Sequence, residues 1–241
     1  MIGRRRNSPF FMQSELKQPN IPYSRSAAAE KLPERQKLYY VPPAKKLPSK
    51  GFLAVKRGFD IVFSLLGMTL LALPMLVIAL IVAVDSPGAP IYKQERLGLH
   101  GKAFTIYKFR TMHADAERNG PKWADENDSR CTAVGRFLRD RRLDELPQLI
   151  NILRGDMSFV GPRPERRCFY DLFEEYIDGF SNRLEAVPGL TGLAQVNGGY
   201  DLLPEEKIVF DMEYINKCSL KLDASCLIRT VWAMLKHDGA R

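Results

Sequence analysis

Polar residues dominate positions 1–50 without any sustained apolar period, and then the character of the chain changes abruptly. Ile61 to Val84 runs for 24 residues with no charge. As a straight helix this stretch is about 36 Å long, enough to cross a hydrocarbon core of about 30 Å. Composition alone therefore favours a single span. Pro74 opposes it by removing a backbone hydrogen bond and dividing the run into arms of 13 and 10 residues, neither of which spans alone. Both flanks are also basic, with Lys45, Lys46, Lys50, Lys56 and Arg57 before and Lys93, Arg96, Lys102, Lys108 and Arg110 after. A spanning helix calls for contrast between its flanks. A Pro-broken, re-entrant helix that dips into one leaflet and returns satisfies both. A buried helix of a soluble core is the third reading.

Beyond the apolar run the pattern shortens. Ile91 to Met112 carries β-type runs interrupted by Gly98 and Gly101, and Lys108 and Arg110, two apart, share one face if extended. Residues 113–130 are polar and read as a loop. Pro147 marks a helix start, and Phe169, Phe173 and Tyr176 recur at helical spacing, as core residues do. Pro188 to Gly192 reads as a tight turn, followed by a strand-like Leu193 to Val196. Two further helices are expected near 205–217 and 222–236. The last sets Leu227, Val231 and Leu235 on one face, with Trp232 alongside and Arg229 and Lys236 nearby. Trp beside basic residues also suits an interfacial membrane helix, but core packing is the assignment adopted. The fold class expected is α/β and helix-rich.

The formal charge of +8 resembles a nucleic-acid signature until its distribution is examined. Residues 1–57 hold 13 Lys and Arg against 3 Asp and Glu, whereas the remainder holds 23 against 25. The basicity belongs to the front, which reads as a disordered arm: either a contact for anionic lipid or a solubilising tail. No nucleic-acid partner is expected. The four cysteines lack Cys-x-x-Cys spacing, which supports neither a zinc site nor a disulfide framework. Dinucleotide, Walker, metalloprotease and nucleophile-elbow motifs are missing.

Chemistry concentrates in Leu143 to Pro164. Asp144 and Glu145 precede Pro147, and within twenty residues Pro162-Arg163-Pro164 follows. An acidic pair before a helix start is often just a complement to the helix dipole. Neighbouring positions on a helix also point about 100° apart, so the two carboxylates suit divided roles rather than a shared proton. Two prolines around one guanidinium fix the backbone on either side, a geometry suited to phosphate oxygens. Arg136, Arg139, Arg141 and Arg142 crowd the approach to Asp144, as charge partners or as ligands of a diphosphate.

Five ordered blocks then carry a resemblance. Lys56-Arg-Gly-Phe-Asp60, Tyr107-Lys-Phe-Arg-Thr-Met112, Leu143-Asp-Glu-Leu-Pro-Gln148, Gly155-Asp-Met-Ser-Phe-Val-Gly-Pro-Arg-Pro164 and Pro188-Gly-Leu-Thr-Gly192 resemble the bacterial sugar transferases, the monotopic polyprenyl-phosphate phosphoglycosyl transferases. The likeness covers roughly residues 54–236. Behind the disordered basic arm that composition gives over 1–50, it implies a re-entrant membrane helix over 51–86 and a small cytoplasmic catalytic domain with amphipathic interfacial helices over 87–241. It implies transfer of a sugar-1-phosphate from a UDP-sugar to undecaprenyl phosphate, with release of UMP, in the first membrane step of surface glycan synthesis. Asp144 maps onto the nucleophile, and Asp144 and Glu145 onto a Mg²⁺ site. Lys108, Arg110, Arg139, Gln148, Arg163 and Arg183 are the substrate-binding candidates. The expected partners are the UDP-sugar donor, the undecaprenyl phosphate acceptor, lipids of the bacterial inner membrane and a second copy of the chain as a homodimer. The alternative is a non-catalytic membrane-anchored scaffold. Departures are Leu73 before Pro74 where some members have Ser, Val187 where some have Arg before Pro-Gly, and Gly199 where Arg is common. No motif encodes the sugar.

Overall fold

A computed structural model describes residues 39–116, 128–198 and 202–236. The expected arm lies outside the described residues as far as position 38, as does Gly199. Among the described residues the fold is helix-rich α/β, with three two-stranded sheets. Tyr39–Tyr40 (β1) pairs in parallel with Ile177–Asp178 (β5). Just beyond it the chain is tied to the body, as Ala44 N donates to Glu185 Oε2 and Lys45 N to Asn216 Oδ1.

The long apolar stretch forms one helix, Lys50–Asp85 (α1), with Pro74 inside it. Ser49 caps its start by accepting from Phe52 N. It is long and apolar enough to cross a membrane. One narrow stripe of α1 packs on the body. Met68 and Leu71 join Ile106, Leu149, Ile152 and Met157, and further on Met75, Ile78 and Val82 join Phe109 and Leu138. The other faces leave Val62, Leu70, Leu73 and Val84 exposed.

Polar contacts fasten α1 near both of its ends. Arg57 donates to the Ile152 and Leu153 carbonyls, each at 2.6 Å. Buried Asp60 accepts from Ser158 Oγ at 3.0 Å and Phe159 N at 3.1 Å. At the far end Arg110 donates to the carbonyls of Val82 (3.1 Å), Ser86 (2.5 Å) and Ala89 (2.7 Å). These are the last-turn and trailing carbonyls that a helix end leaves unsatisfied.

Ile91–Leu97 (β2) and Ala103–Phe109 (β3) form an antiparallel hairpin, pairing Ile91 with Phe109 and Leu97 with Ala103. Ala133–Asp140 (α2), a 3₁₀ turn at Leu143–Gln148 and Leu149–Arg154 (α3) follow. Ser158–Val160 (β4) pairs in parallel with Gly189–Thr191 (β6). Around that pair backbones nearly touch. A Cβ on Gly161 meets Val187 O at 2.3 Å, and one on Gly192 meets Gly161 O at 2.1 Å. Only glycine permits such an approach, and it fixes the segment leading to Arg163.

Arg167–Glu174 (α4) supplies the main core. Phe169, Phe173 and Tyr176 pack there with Phe180, Ile208, Met212 and Ile215, as their spacing indicates. Phe173 and Phe180 meet edge to face at 5.1 Å.

Local expectations fail in two stretches, and in the first Pro188 to Gly192 carries the strand β6 (Gly189–Thr191), paired with β4, rather than a tight turn. Leu193–Asn197 is a helix (α5), not a strand. The strand role is already taken by β6, and beyond Gly192 the chain closes a turn through Val196 N to Gly192 O. A four-residue apolar run carries too little periodicity to separate the two. The second correction concerns the last helix, Leu220–Lys236 (α7), which follows Pro204–Lys217 (α6). Its inward stripe is Asp223, Cys226 and Thr230, with Thr230 Oγ1 against Thr191 Oγ1. Leu227 and Val231 are exposed, with Ile228 at 70% and Trp232 at 60%. The side chains that meet β4, β6 and α6 are the small and polar ones, so the large apolar face points outward.

Candidate active site

The site starts with a sharp reversal. Thr132 caps α2 by accepting from Gly135 N at 2.9 Å, and Gly135 lies so near Thr111 that a Cβ there meets Thr111 O at 2.0 Å. Arg142 then adopts φ 55°, a left-handed conformation uncommon outside glycine. That kink turns the chain from α2 into the 3₁₀ turn and points Asp144 and Glu145 at cations from other elements. Both carboxylates are buried, at 7% and 8% exposure.

They are not equivalent. Glu145 Oε1 accepts from Lys108 Nζ at 2.8 Å and from Arg163 Nη2 at 2.6 Å. Burial works against its charge, but Arg163 and Lys108 outweigh that and hold the carboxyl well below its ordinary range. Asp144 has only a longer contact, Oδ2 to Lys108 Nζ at 3.9 Å. For it burial dominates, Lys108 offsets part, and the Glu145 charge adds to the rise, so it is pushed up to about 6. One carboxylate is an ion-paired fixture and the other a poised, poorly compensated base.

Asp144 lines a cleft of about 440 Å³. Ten Lys and Arg side chains line it, against the two acids Asp144 and Glu165, so it suits a polyanion. Lys108, Arg110, Arg139, Arg163 and Arg183 are all among them, so the cleft gathers most of the residues singled out from sequence. Their roles differ. Arg139 Nη1 reaches Cys131 Sγ at 2.8 Å. Arg110 spends its donors on the end of α1. Arg183 is buried against Asp211 at 2.6 Å, and its Nη2 donates to Arg163 O at 2.9 Å. Gln148 is buried and does not line the cleft.

Sequence reasoning missed Glu165, Gln195 and Lys207, which line the cleft too. Glu165 directly follows the Pro-Arg-Pro segment, which was a usable signal. Lys207 comes from α6, far along the chain, and had none.

Among the described residues no three His, Cys, Asp or Glu side chains cluster as a metal cage. Mg²⁺ does not need one, because it binds through one or two carboxylates and completes its shell with water and substrate phosphates. Asp144, at the wall of the cationic cleft, and its neighbour Glu145 fit that donor set.

Comparison with known proteins adds the context. The model for the family "Bacterial sugar transferase" matches residues 52–237. The UDP-N-acetylgalactosamine-undecaprenyl-phosphate N-acetylgalactosaminephosphotransferase of Aeromonas hydrophila is 40% identical over 198 residues, which is 81% of this chain and 47% of that protein. The chain thus spans about half the length of that relative. The UDP-glucose:undecaprenyl-phosphate glucose-1-phosphate transferase of Caulobacter vibrioides is 41% identical over 203 residues, covering 82% of this chain and 76% of that protein. A putative undecaprenyl-phosphate N-acetylgalactosaminyl 1-phosphate transferase of Bacillus subtilis is 50% identical over 134 residues, 55% of this chain and 74% of its own.

The raised Asp144 carboxyl has a consequence for stability. Its folded-state value of about 6 exceeds the ordinary 3.8, so the folded protein holds the proton more tightly than the unfolded chain. Stability present at low pH is therefore lost as pH rises through about 6. Asp144→Asn removes this penalty, on the order of 2–3 kcal/mol. In metal-free protein the variant is expected to melt several degrees above wild type at pH 7.5, with the advantage shrinking towards pH 4. Thermal melts across that range check it.

Proposed function

The chain belongs to the bacterial sugar transferase family, and from that premise we propose that it transfers a sugar-1-phosphate from a UDP-sugar to undecaprenyl phosphate. The observation that carries the reading is the division of labour between adjacent carboxylates, Glu145 clamped by Lys108 and Arg163 while Asp144 faces the cationic cleft.

In this mechanism an Asp144 carboxylate oxygen attacks the β-phosphorus of the UDP-sugar. The bond from that phosphorus to the bridging oxygen breaks, and UMP leaves with the electron pair. The resulting aspartyl phospho-sugar is then attacked at the same phosphorus by a phosphate oxygen of undecaprenyl phosphate. The new diphosphate linkage forms, and Asp144 returns as a carboxylate. Splitting one displacement into two lets a soluble donor and a lipid acceptor use a single pocket in turn. Lys108 and Arg163, already positioned by Glu145, supply fixed positive charge where the transferred phosphoryl oxygens lie. Arg139 adds charge from α2. Asp144 and Glu145 would hold Mg²⁺, which would supply further positive charge against the repulsion between an anionic nucleophile and an anionic substrate.

We read α1 as re-entrant, with the catalytic body on the cytoplasmic face of the inner membrane. What supports this is that both ends of α1 grip the same body, Arg57 and Asp60 at one and Val82 with Arg110 at the other. Both flanks are basic as well. The exposed face of α7, with Ile228, Val231 and Trp232 beside Lys221 and Arg229, supports an interfacial seat for that helix.

Two experiments test these readings. Detergent-purified protein, given Mg²⁺, undecaprenyl phosphate and UDP-glucose, UDP-galactose or UDP-N-acetylgalactosamine, is expected to release UMP. Asp144→Asn lowers the rate by about 10³-fold or more, and Glu145→Gln lowers it with a weaker Mg²⁺ dependence. Release of UDP instead contradicts the mechanism, and silence from folded protein favours a scaffold. For topology, accessibility labels at both chain ends are expected to report the cytoplasmic side, and labels on opposite sides mean a span.

A further inference from the structure

A cleft built for phosphates gives an acid little to do. Ten Lys and Arg side chains line this one, and besides Asp144 the acid among its lining residues is Glu165. The end of β2 holds Glu165 at two points. Leu97 N donates to Glu165 O at 3.1 Å, and Arg96 Nη1 donates to Glu165 Oε2 at 3.2 Å. Arg96 also donates to Pro164 O and to Gln94 Oε1, so the acid is not its sole anchor. The other carboxylate oxygen, Glu165 Oε1, accepts no hydrogen bond among the described residues. It is not sealed off: the side chain keeps 10% of its surface exposed, and it lines the cleft.

A carboxylate oxygen accepts hydrogen bonds and donates none. It repels phosphate oxygens, so neither the diphosphate of a donor nor the phosphate head of a lipid acceptor suits it. It calls for a neutral group that carries a hydrogen-bond donor. In a UDP-sugar those groups are the hydroxyls of the sugar, the ribose hydroxyls and the N–H of uracil. Position decides among them. Glu165 follows Arg163 by two residues, a stretch of chain that spans at most about 7 Å. Arg163 is the cation on Glu145, where the proposed mechanism sets the transferred phosphate. The sugar is bonded directly to that phosphate, whereas uridine lies one phosphate farther away.

We propose that Glu165 Oε1 reads a hydroxyl of the transferred sugar, with Arg96 and the Leu97 backbone fixing the carboxylate in place. The assignment rests on the proposed function and adds to it a residue that selects among donors.

The test crosses Glu165 variants with UDP-sugars lacking one hydroxyl, on the full chain with Mg²⁺ and undecaprenyl phosphate. Wild-type turnover of the parent UDP-sugar comes first, and its failure counts against the proposed function. The same cycle, read as donor affinity by titration calorimetry, then still decides this assignment. Glu165→Leu removes both oxygens and is expected to lower kcat/KM on the parent donor roughly 10–100-fold, the loss of a hydrogen bond to a charged group. On the donor that lacks the hydroxyl Glu165 serves, the same substitution is expected to change kcat/KM by less than about twofold, the mark of a coupled pair. Glu165→Gln keeps the shape and one acceptor oxygen. It is expected to show a smaller loss that vanishes on the same deoxy donor, so the test stands even where the Leu variant does not fold. UMP inhibition is expected to hold or tighten in both variants, because an acid leaves a cationic cleft. No loss on the parent donor overturns the assignment, and an equal loss on every donor does too, leaving Glu165 as a structural partner of Arg96. UMP inhibition that weakens in step with the donor also overturns it and gives the carboxylate to the uridine.

Discussion

The ion triad of Glu145 with Lys108 and Arg163 is the constraint on which the site depends. A carboxylate this deeply buried is tolerable only when paired at short range, and here two cations from separate elements meet one oxygen at 2.8 and 2.6 Å. Lys108 comes from β3 and Arg163 from the segment after β4, so the triad joins the hairpin, the 3₁₀ turn and the β4–β6 pair at one point. Its second effect falls on Asp144. With the nearby cations engaged by Glu145, Asp144 bears the burial penalty and the repulsion of its neighbour. The same arrangement that holds one carboxylate ionised raises the pKa of the other.

The apolar helix is fastened to this assembly rather than hung beside it. Asp60 accepts from Ser158 and Phe159 of β4, the strand that runs into Gly161 and Arg163. Tyr214 donates to Val160 O at 3.1 Å and to Asp223 Oδ1 at 2.8 Å, and Asp223 pairs with Lys56 of α1 at 2.6 Å. The apolar helix α1, the exposed helix α7 and the strand that leads to Arg163 thus share one polar network. Arg110 repeats the pattern at the other end of α1, reaching helix carbonyls from a position that also lines the cleft.

Much of this was legible in the sequence because the signals were local. The uncharged run announced α1, the aromatic spacing of Phe169 and Phe173 announced the core, and Asp144-Glu145 with Pro-Arg-Pro announced the residues that meet at the cleft. The family reading from five ordered blocks agrees with the family match over residues 52–237. What escaped depended on tertiary context. Leu193 to Val196 is too short for its period to choose between strand and helix. The apolar face of α7 was assigned to the core because hydrophobicity does not say which neighbour a helix meets, and β6 meets Thr230 instead. Arg110, a substrate-binding candidate from sequence, lines the cleft, and that its donors also serve carbonyls at the end of α1 had no signal in the sequence. Gln195 and Lys207 join the cleft only through the packing of α5 and α6.

The central claim is that Asp144 carries the phospho-sugar covalently, and mass spectrometry tests it most directly. Protein incubated with its UDP-sugar in the absence of undecaprenyl phosphate is digested and the peptide containing Asp144 is weighed. The account predicts an added sugar phosphate on Asp144, with about one equivalent of UMP released per active site. UMP that forms only once the acceptor is added, with an unmodified Asp144 peptide throughout, contradicts it and points to direct transfer between the two substrates.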